Sequence, residues 1–139
     1  MYDLKTAEKL LIGENLTLLV YSGDQVIKSS ERGVMPLLKL IDRNQSLKGF
    51  TAVDKVVGKA AAYLYCILQV DSVHALTISK SAKQVLENFN VKVSYNCLAD
   101  YIINRKGNGK CPMESAVETC ENRFDALNKI KQKLKELNS

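Results

Sequence analysis

The segment from Asp54 to Leu68 constrains the fold most, because apolar residues surround it almost completely when it is drawn as a helix. A helix without a polar face must be covered by protein on all sides. We therefore predict a buried central helix over this segment, with Thr51 and Asp54 at the spacing of a capping box at its start. The apolar positions are Val56, Val57, Ala60, Ala61, Ala62, Leu64, Ile67 and Leu68.

The segment after this helix carries the pattern of a parallel sheet. Ser72 to Ile78 reads as a strand, Ser79 to Asn88 as a helix and Val91 to Tyr95 as another strand. Strand, helix and strand in this order predict a parallel pair joined by a crossover. We expect an α/β fold, in which helices cover both faces of a sheet.

The N-terminal part of the chain predicts a helix, a hairpin and a second short helix. The first helix ends at Gly13, and the hairpin pairs Leu16 to Tyr21 with Gln25 to Ser29. The short helix follows Gly33, with a proline that a first turn tolerates. An antiparallel hairpin beside a parallel pair makes the sheet mixed.

The C-terminal part is less uniform. Cys97 to Ile103 is ambiguous between a short helix and a further strand. Beyond the glycine-containing loop of residues 104–110, apolar residues step by three or four from Met113 to Leu137 and predict one long helix.

Composition limits both the size of the protein and its partners. The chain has 139 residues, of which 46% are hydrophobic, so we predict a single domain over residues 1–139. The net charge is +5, much of it from C-terminal lysines that solvate a helix, so nucleic-acid binding is a disfavoured prediction.

The location predicted from the sequence is the cytoplasm. No apolar run approaches membrane length, and the N-terminus lacks the apolar core of a signal peptide. The four cysteines contain no C-x-x-C spacing, so we expect reduced thiols. His74 is the only histidine, and its strand position predicts a role in the core or on the sheet face.

A candidate site lies where the loop of residues 104–110 meets the last helix. Cys111 stands at the N-cap position, Pro112 at the first helical position and Glu114 at the third. Two glycines and two basic residues precede them, and free N–H groups at a helix start attract anions. This junction predicts a pocket for an anionic or carbonyl-bearing ligand.

Three groups of residues carry a resemblance to a known family. The buried segment contains Asp54, Gly58 and Lys59 beside an alanine run, the loop begins with Asn104-Arg105, and the last helix begins with Cys111-Pro112-Met113-Glu114. From Leu16 onward, the chain resembles a family of small prokaryotic proteins of unassigned activity with a cytidine-deaminase-like fold. The resemblance implies that architecture and the position of a site.

The usual zinc site of nucleoside deaminases is absent. A zinc deaminase carries a His or Cys ligand two residues before a Glu, and a P-C-x-x-C sequence at a second helix start. This chain has Gly58, Lys59 and Ala60 at the first place and Ser79 to Ala82 at the second. We therefore predict no metal site and no cofactor.

The resemblance implies that several helix starts meet at one cleft. The candidate catalytic residues are Cys111 as nucleophile, with Asp54 and Glu114 as acid or base. The candidate ligand-binding residues are Lys59, Asn104, Arg105, Lys80 and Ser81. Each also has a structural interpretation: Cys111 as an inert buried cap, Glu114 and Asp54 as partners of helix starts, and Lys59 as a solvated charge.

Two functions follow from these patterns. The first is a small-molecule binding protein whose ligand is anionic, with nucleosides and nucleotides as candidates, and whether it is an enzyme stays open. The alternative is a non-enzymatic interaction module that joins a partner, or forms a homo-oligomer, through a sheet edge or the last helix.

Overall fold

A mixed five-stranded sheet with helices on both sides forms the centre of the computed structural model, which describes residues 2–103 and 111–137. The sheet order is β2-β1-β3-β4-β5. The strands are β1 (Leu18–Ser22), β2 (Gln25–Ser29), β3 (Thr51–Val57), β4 (Ser72–Ser79) and β5 (Lys92–Ala99). The helices are α1 (Leu4–Gly13), α2 (Met35–Asp42), α3 (Lys59–Leu68), α4 (Lys80–Asn88), α5 (Pro112–Ala116) and α6 (Arg123–Leu137).

The strand directions explain where a site can form. β1 is antiparallel to both β2 and β3, whereas β3, β4 and β5 are parallel to one another. Helices α3 and α4 are the two crossovers, so both begin at the same edge of the sheet. The predicted hairpin and the predicted parallel pair are confirmed, and β3 adds a second parallel pair.

Two hydrophobic cores hold the helices on the sheet. The larger core joins the sheet to α2, α3, α4 and α6, and Tyr65 and Leu64 of α3 are fully buried within it. The smaller core packs Leu11 of α1 against Leu19 and Val53 on the other face. The α/β class with helices on both faces is therefore confirmed, and the central helix is buried as its composition requires.

The prediction of one helix from Asp54 to Leu68 is wrong in its first part. Asp54 lies within β3, and the helix begins only at Lys59. β-branched residues favour the strand, where they pair with β1 and β4 on either side. The predicted capping box is also wrong, because Thr51 belongs to the strand and its hydroxyl bonds that of Ser72 at 2.9 Å.

The prediction of one long C-terminal helix is wrong as well. The helical pattern is interrupted between Ala116 and Arg123, and Asn122 starts α6 by accepting the N–H of Phe124 at 2.7 Å. The carbonyl of Cys120 in this interruption accepts the buried Tyr63 hydroxyl at 2.6 Å. Competing side-chain and tertiary hydrogen bonds therefore end the helix despite its regular apolar spacing.

Candidate functional site

A cavity of about 370 Å³ lies at the carboxyl end of β3. Its walls come from the start of β1, the segment between β2 and α2, the β3–α3 junction, the residues after β5, and α5. Most of these walls are apolar. The apolar lining includes Leu18, Val34, Leu37, Val56, Ala61, Ile102, Ile103 and Met113.

Asp54 is the carboxyl group on the strand side of this cavity. Its Oδ2 accepts the Tyr65 hydroxyl at 2.6 Å, and its Oδ1 accepts the N–H of Val56 at 3.3 Å. Burial among apolar walls raises the pKa of Asp54 from 3.8 to about 7, although the Tyr65 bond acts in the opposite direction. Near neutral pH this carboxyl group is therefore able to accept or donate a proton.

Glu114 stands on α5 but serves the start of α3. Its Oε1 accepts the N–H of Lys59 at 2.8 Å, and its Oε2 accepts the N–H of Ala60 at 3.0 Å. A carboxylate at a helix N-terminus is stabilised by unpaired N–H groups and by the helix dipole. The sequence also allows a structural role for Glu114, as the partner of a helix start. Glu114 has this contact, but with the start of α3 and not with that of its own helix α5.

Gly58 makes this long-range cap possible. A β-carbon at position 58 would lie 2.5 Å from Cδ of Glu114, which is far inside van der Waals contact. The backbone there is extended, with φ −99° and ψ 178°, so glycine is needed for space and not for a left-handed conformation. The β3–α3 junction is therefore shaped to receive the carboxylate of α5.

Cys111 lies in the cavity wall at the N-cap position of α5, as its sequence position predicts. It is partly exposed, and its side chain forms no capping hydrogen bond. Its backbone N–H donates to the carbonyl of Ile102 at 3.0 Å and thereby fixes α5 beside the end of β5. The structure thus brings Cys111, Glu114 and Asp54 to the lining of the same cavity.

The lysine at the start of α3 points away from this cavity lining. The Lys59 ammonium donates to the carbonyl of Glu118 at 2.9 Å and lies 5.8 Å from the centre of the Tyr63 ring. These contacts tie α3 to the segment after α5. Lys59 therefore contributes its backbone N–H to the Glu114 cap, and its side chain is not among the groups that line the cavity.

The predicted residues at the start of α4 also lie outside this cavity. Lys80 forms an exposed ion pair with Asp100 at 2.8 Å. The Ser81 hydroxyl lies 3.3 Å from that of Ser79, beside the α4 cap. Asn104 and Arg105 fall outside the described residues.

Sequence reasoning missed three residues that face this cavity or support it. Arg32 and Lys55 line it and bring two positive charges to its walls. Neither forms an ion pair with a carboxylate in residues 2–103 or 111–137. Tyr65 holds Asp54 from a fully buried position on α3. These three residues have no regular spacing in the sequence. Their common position at the cavity follows only from the register of β3 and the packing of α3 on the sheet.

Two further properties bear on the class of protein. Within residues 2–103 and 111–137, no three His, Cys, Asp or Glu side chains are placed to hold a metal ion together. In the same residues, none of the helices has the length and apolar character that a membrane crossing needs.

Comparison with known proteins gives the relationship of the chain. Residues 6–134 match the family described as a domain of unknown function, DUF1893 (TM1506). The fold is similar to the crystal structure of a DUF1893 family protein, TM1506, from Thermotoga maritima, with a TM-score of 0.87 and 30% sequence identity. That match covers 94% of this chain and 88% of the other, whereas no curated protein matches the sequence. Since the family match spans most of its length, the chain belongs to the DUF1893 family.

Proposed function

We propose that the protein binds a small metabolite in the cavity at the carboxyl end of β3. The observation that carries this proposal is the Asp54 carboxyl group, which is desolvated, held by Tyr65 and exposed to a largely apolar cavity. A volume of about 370 Å³ is in the range of small-molecule sites, which are mostly apolar with a few convergent polar groups. A perturbed carboxyl in such a place is typical of a functional site.

The charges in the walls define the kind of ligand. Asp54 favours a group that donates hydrogen bonds, such as an amino or amide group on a ring. Arg32 and Lys55 favour an anionic group at another part of the same molecule. A ring with a polar edge and a phosphate or carboxylate meets both demands. Nucleosides and nucleotides are our candidates, because the sequence resembles deaminase-like proteins.

Any reaction would use Asp54 first. Its pKa of about 7 suits a group that takes a proton from a ligand and returns it. Cys111 is the candidate nucleophile in the same cavity wall. Glu114 already accepts two backbone hydrogen bonds at the start of α3, so its carboxylate is not available for proton transfer. We therefore assign proton transfer to Asp54 and positioning of α5 to Glu114.

A thermal-shift screen tests the proposal. A ligand that binds only the native state raises the melting temperature, so the purified protein is screened against nucleobases, nucleosides, nucleotides and phosphorylated metabolites. We expect the shift to shrink in Asp54→Asn and in Arg32→Gln. Lys9→Gln, on α1 outside the cavity, is the charge-matched control and should keep the full shift. A hit whose shift is unchanged in both cavity variants would refute binding at this site.

The alternative function, an interaction module, is favoured by the edge strand β5. Among the described residues β5 has a sheet neighbour on one side only, and its Tyr95 and Leu98 are 38% and 39% exposed. Unpaired edge groups with apolar side chains favour pairing with another chain, including a second copy. Light scattering at high concentration separates the two functions. A dimer that dissociates in Leu98→Lys would support the module, and a monomer would count against self-association.

A further inference from the structure

A second cavity, of about 310 Å³, lies at the opposite end of the parallel strands. It is formed where the segment before β3, the end of α3, the α4–β5 connection and the start of α6 meet. Its polar and aromatic lining consists of Lys48, Gln69, Asp71, Phe89 and Arg123. None of the residues predicted from the sequence to form a site belongs to it.

Arg123 is held in this cavity by aromatic rings. Its guanidinium carbon lies 5.0 Å from the centre of the Phe89 ring and 4.8 Å from that of Phe124. Contacts with ring faces orient a guanidinium without using its in-plane N–H donors. Within residues 2–103 and 111–137 those donors form no ion pair with a carboxylate. The Asn122 cap fixes the helical turn that carries Arg123.

Lys48 adds a second positive charge to the same cavity. Its ammonium also has no carboxylate partner in the described parts of the chain, although several other lysines do, including Lys28, Lys39, Lys80, Lys83 and Lys131. Asp71 is the one carboxylate in this lining, and its Oδ1 accepts the N–H of Gly49 at 3.0 Å. Two cations and one anion leave an excess of one positive charge.

The remaining walls do not neutralise this charge. Cys66 is a buried thiol in the lining, and burial raises its pKa to about 12, so it stays neutral despite the nearby Arg123. Val70 and Val91 are buried and apolar. The cavity therefore combines two cationic side chains, which have no carboxylate partner in the described residues, with an apolar and aromatic wall.

We propose that this second cavity binds the oxyanion group of a small aromatic metabolite, either a carboxylate or a phosphate monoester. The in-plane N–H groups of Arg123 donate hydrogen bonds to two oxygens of the anion, and the Lys48 ammonium donates a third. Phe89, Val70 and Val91 pack against the ring of the ligand. Because this cavity shares no lining residue with the first, the proposal does not depend on Asp54 or its ligand.

Calorimetric titration with phenyl phosphate and with benzoate tests this site at constant ionic strength. Inorganic phosphate and phenol are the single-component controls, and each should bind more weakly than the combined probes. The tighter of phenyl phosphate and benzoate identifies the oxyanion. If neither phenyl phosphate nor benzoate binds at millimolar concentration, the proposal is wrong. It is also wrong if phenol binds as tightly as phenyl phosphate and benzoate do.

Variants locate the binding. Arg123→Gln should weaken the better probe by about tenfold or more, since a lost charge-assisted hydrogen bond costs about 1.5 kcal/mol or more. Lys48 is exposed, so its change to glutamine leaves the core intact. Lys48→Gln should weaken binding of the better probe several-fold. This variant tests the site if loss of the ring contacts unfolds Arg123→Gln. Lys9→Gln on the far face of the sheet should bind like the unmodified protein. Equal affinity in the unmodified protein and Lys48→Gln would overturn the assignment.

Discussion

The two junctions at which a parallel strand passes into its crossover helix are built differently. At β4–α4 the cap is local, because the Ser79 hydroxyl accepts the N–H of Ala82 at 3.2 Å. At β3–α3 the corresponding residue is Gly58, which has no side chain, and the cap is Glu114, 55 positions beyond Lys59. One junction is completed by its own sequence, and the other needs a separate helix.

This difference places the cavity. Bringing Glu114 to α3 also brings α5 and Cys111 against the end of β3, where they enclose Asp54. The β4–α4 junction needs no such cover, and its lysine pairs with Asp100 in solvent. The distant cap of α3 therefore helps to form the concave surface at the end of β3.

The largest expected effect concerns Asp54 at the first junction. Between pH 4 and pH 7 the unfolded chain ionises this group while the folded protein keeps its proton, so stability falls as pH rises through this range. Asp54→Asn removes that dependence. Above pH 7 we expect the variant to be more stable by up to about 4 kcal/mol, because each pH unit between the two pKa values of 3.8 and about 7 costs the unmodified protein about 1.4 kcal/mol. Urea unfolding from pH 4.5 to 8.5 measures the difference.

Tyr65→Phe sharpens this test. Loss of the Tyr65 hydroxyl removes the hydrogen bond that lowers the pKa of Asp54, so the fall in stability should extend to higher pH. Asn128→Ala, at an exposed position of α6, removes no titratable group and is the control, so its difference in stability from the unmodified protein should be independent of pH across this window. A stability difference for Asp54→Asn that is constant from pH 4.5 to 8.5 would contradict the raised pKa.

The next effect is loss of the distant cap in Glu114→Ala. Two backbone N–H groups at the start of α3 lose a charged acceptor in a largely buried place, and we expect a loss of about 2 kcal/mol in the free energy of unfolding. Glu121→Ala removes an exposed carboxylate from the segment between α5 and α6 and should change stability little. Equal stability of the two variants would show that Glu114 does not hold the junction.

Gly58→Ala tests whether the glycine exists for this cap. The new methyl group would collide with the Glu114 carboxyl group and displace it, at a cost of about 1–2 kcal/mol. In a Glu114→Ala background the three atoms nearest to the new methyl group are gone, and the backbone there suits alanine. The double variant should therefore be about as stable as Glu114→Ala alone. Additive losses would mean that the two positions act independently.

The two junctions also show what the sequence could predict. The α4 start was predicted within one residue, because its cap and its helix are neighbours in sequence. The α3 start was misplaced by five residues, since β3 and α3 are both apolar and Gly58 alone separates them. The sequence predicts that Glu114 interacts with a helix dipole, but it does not predict that the dipole is that of α3. The bond between Asp54 and Tyr65 depends on packing that no spacing reveals.

The smallest effect belongs to the self-capped junction. Ser79→Ala removes one neutral side-chain acceptor, so we expect a loss of about 1 kcal/mol in the free energy of unfolding. Lys80→Ala, which breaks an exposed ion pair, should have a smaller effect.

Hydrogen exchange distinguishes the junctions better than total stability does. In Ser79→Ala, faster exchange should be confined to the first turn of α4, whereas in Glu114→Ala it should include both α3 and α5. If Ser79→Ala also accelerates exchange in α5, the local cap supports the distant segment as well, and the contrast between the two junctions fails.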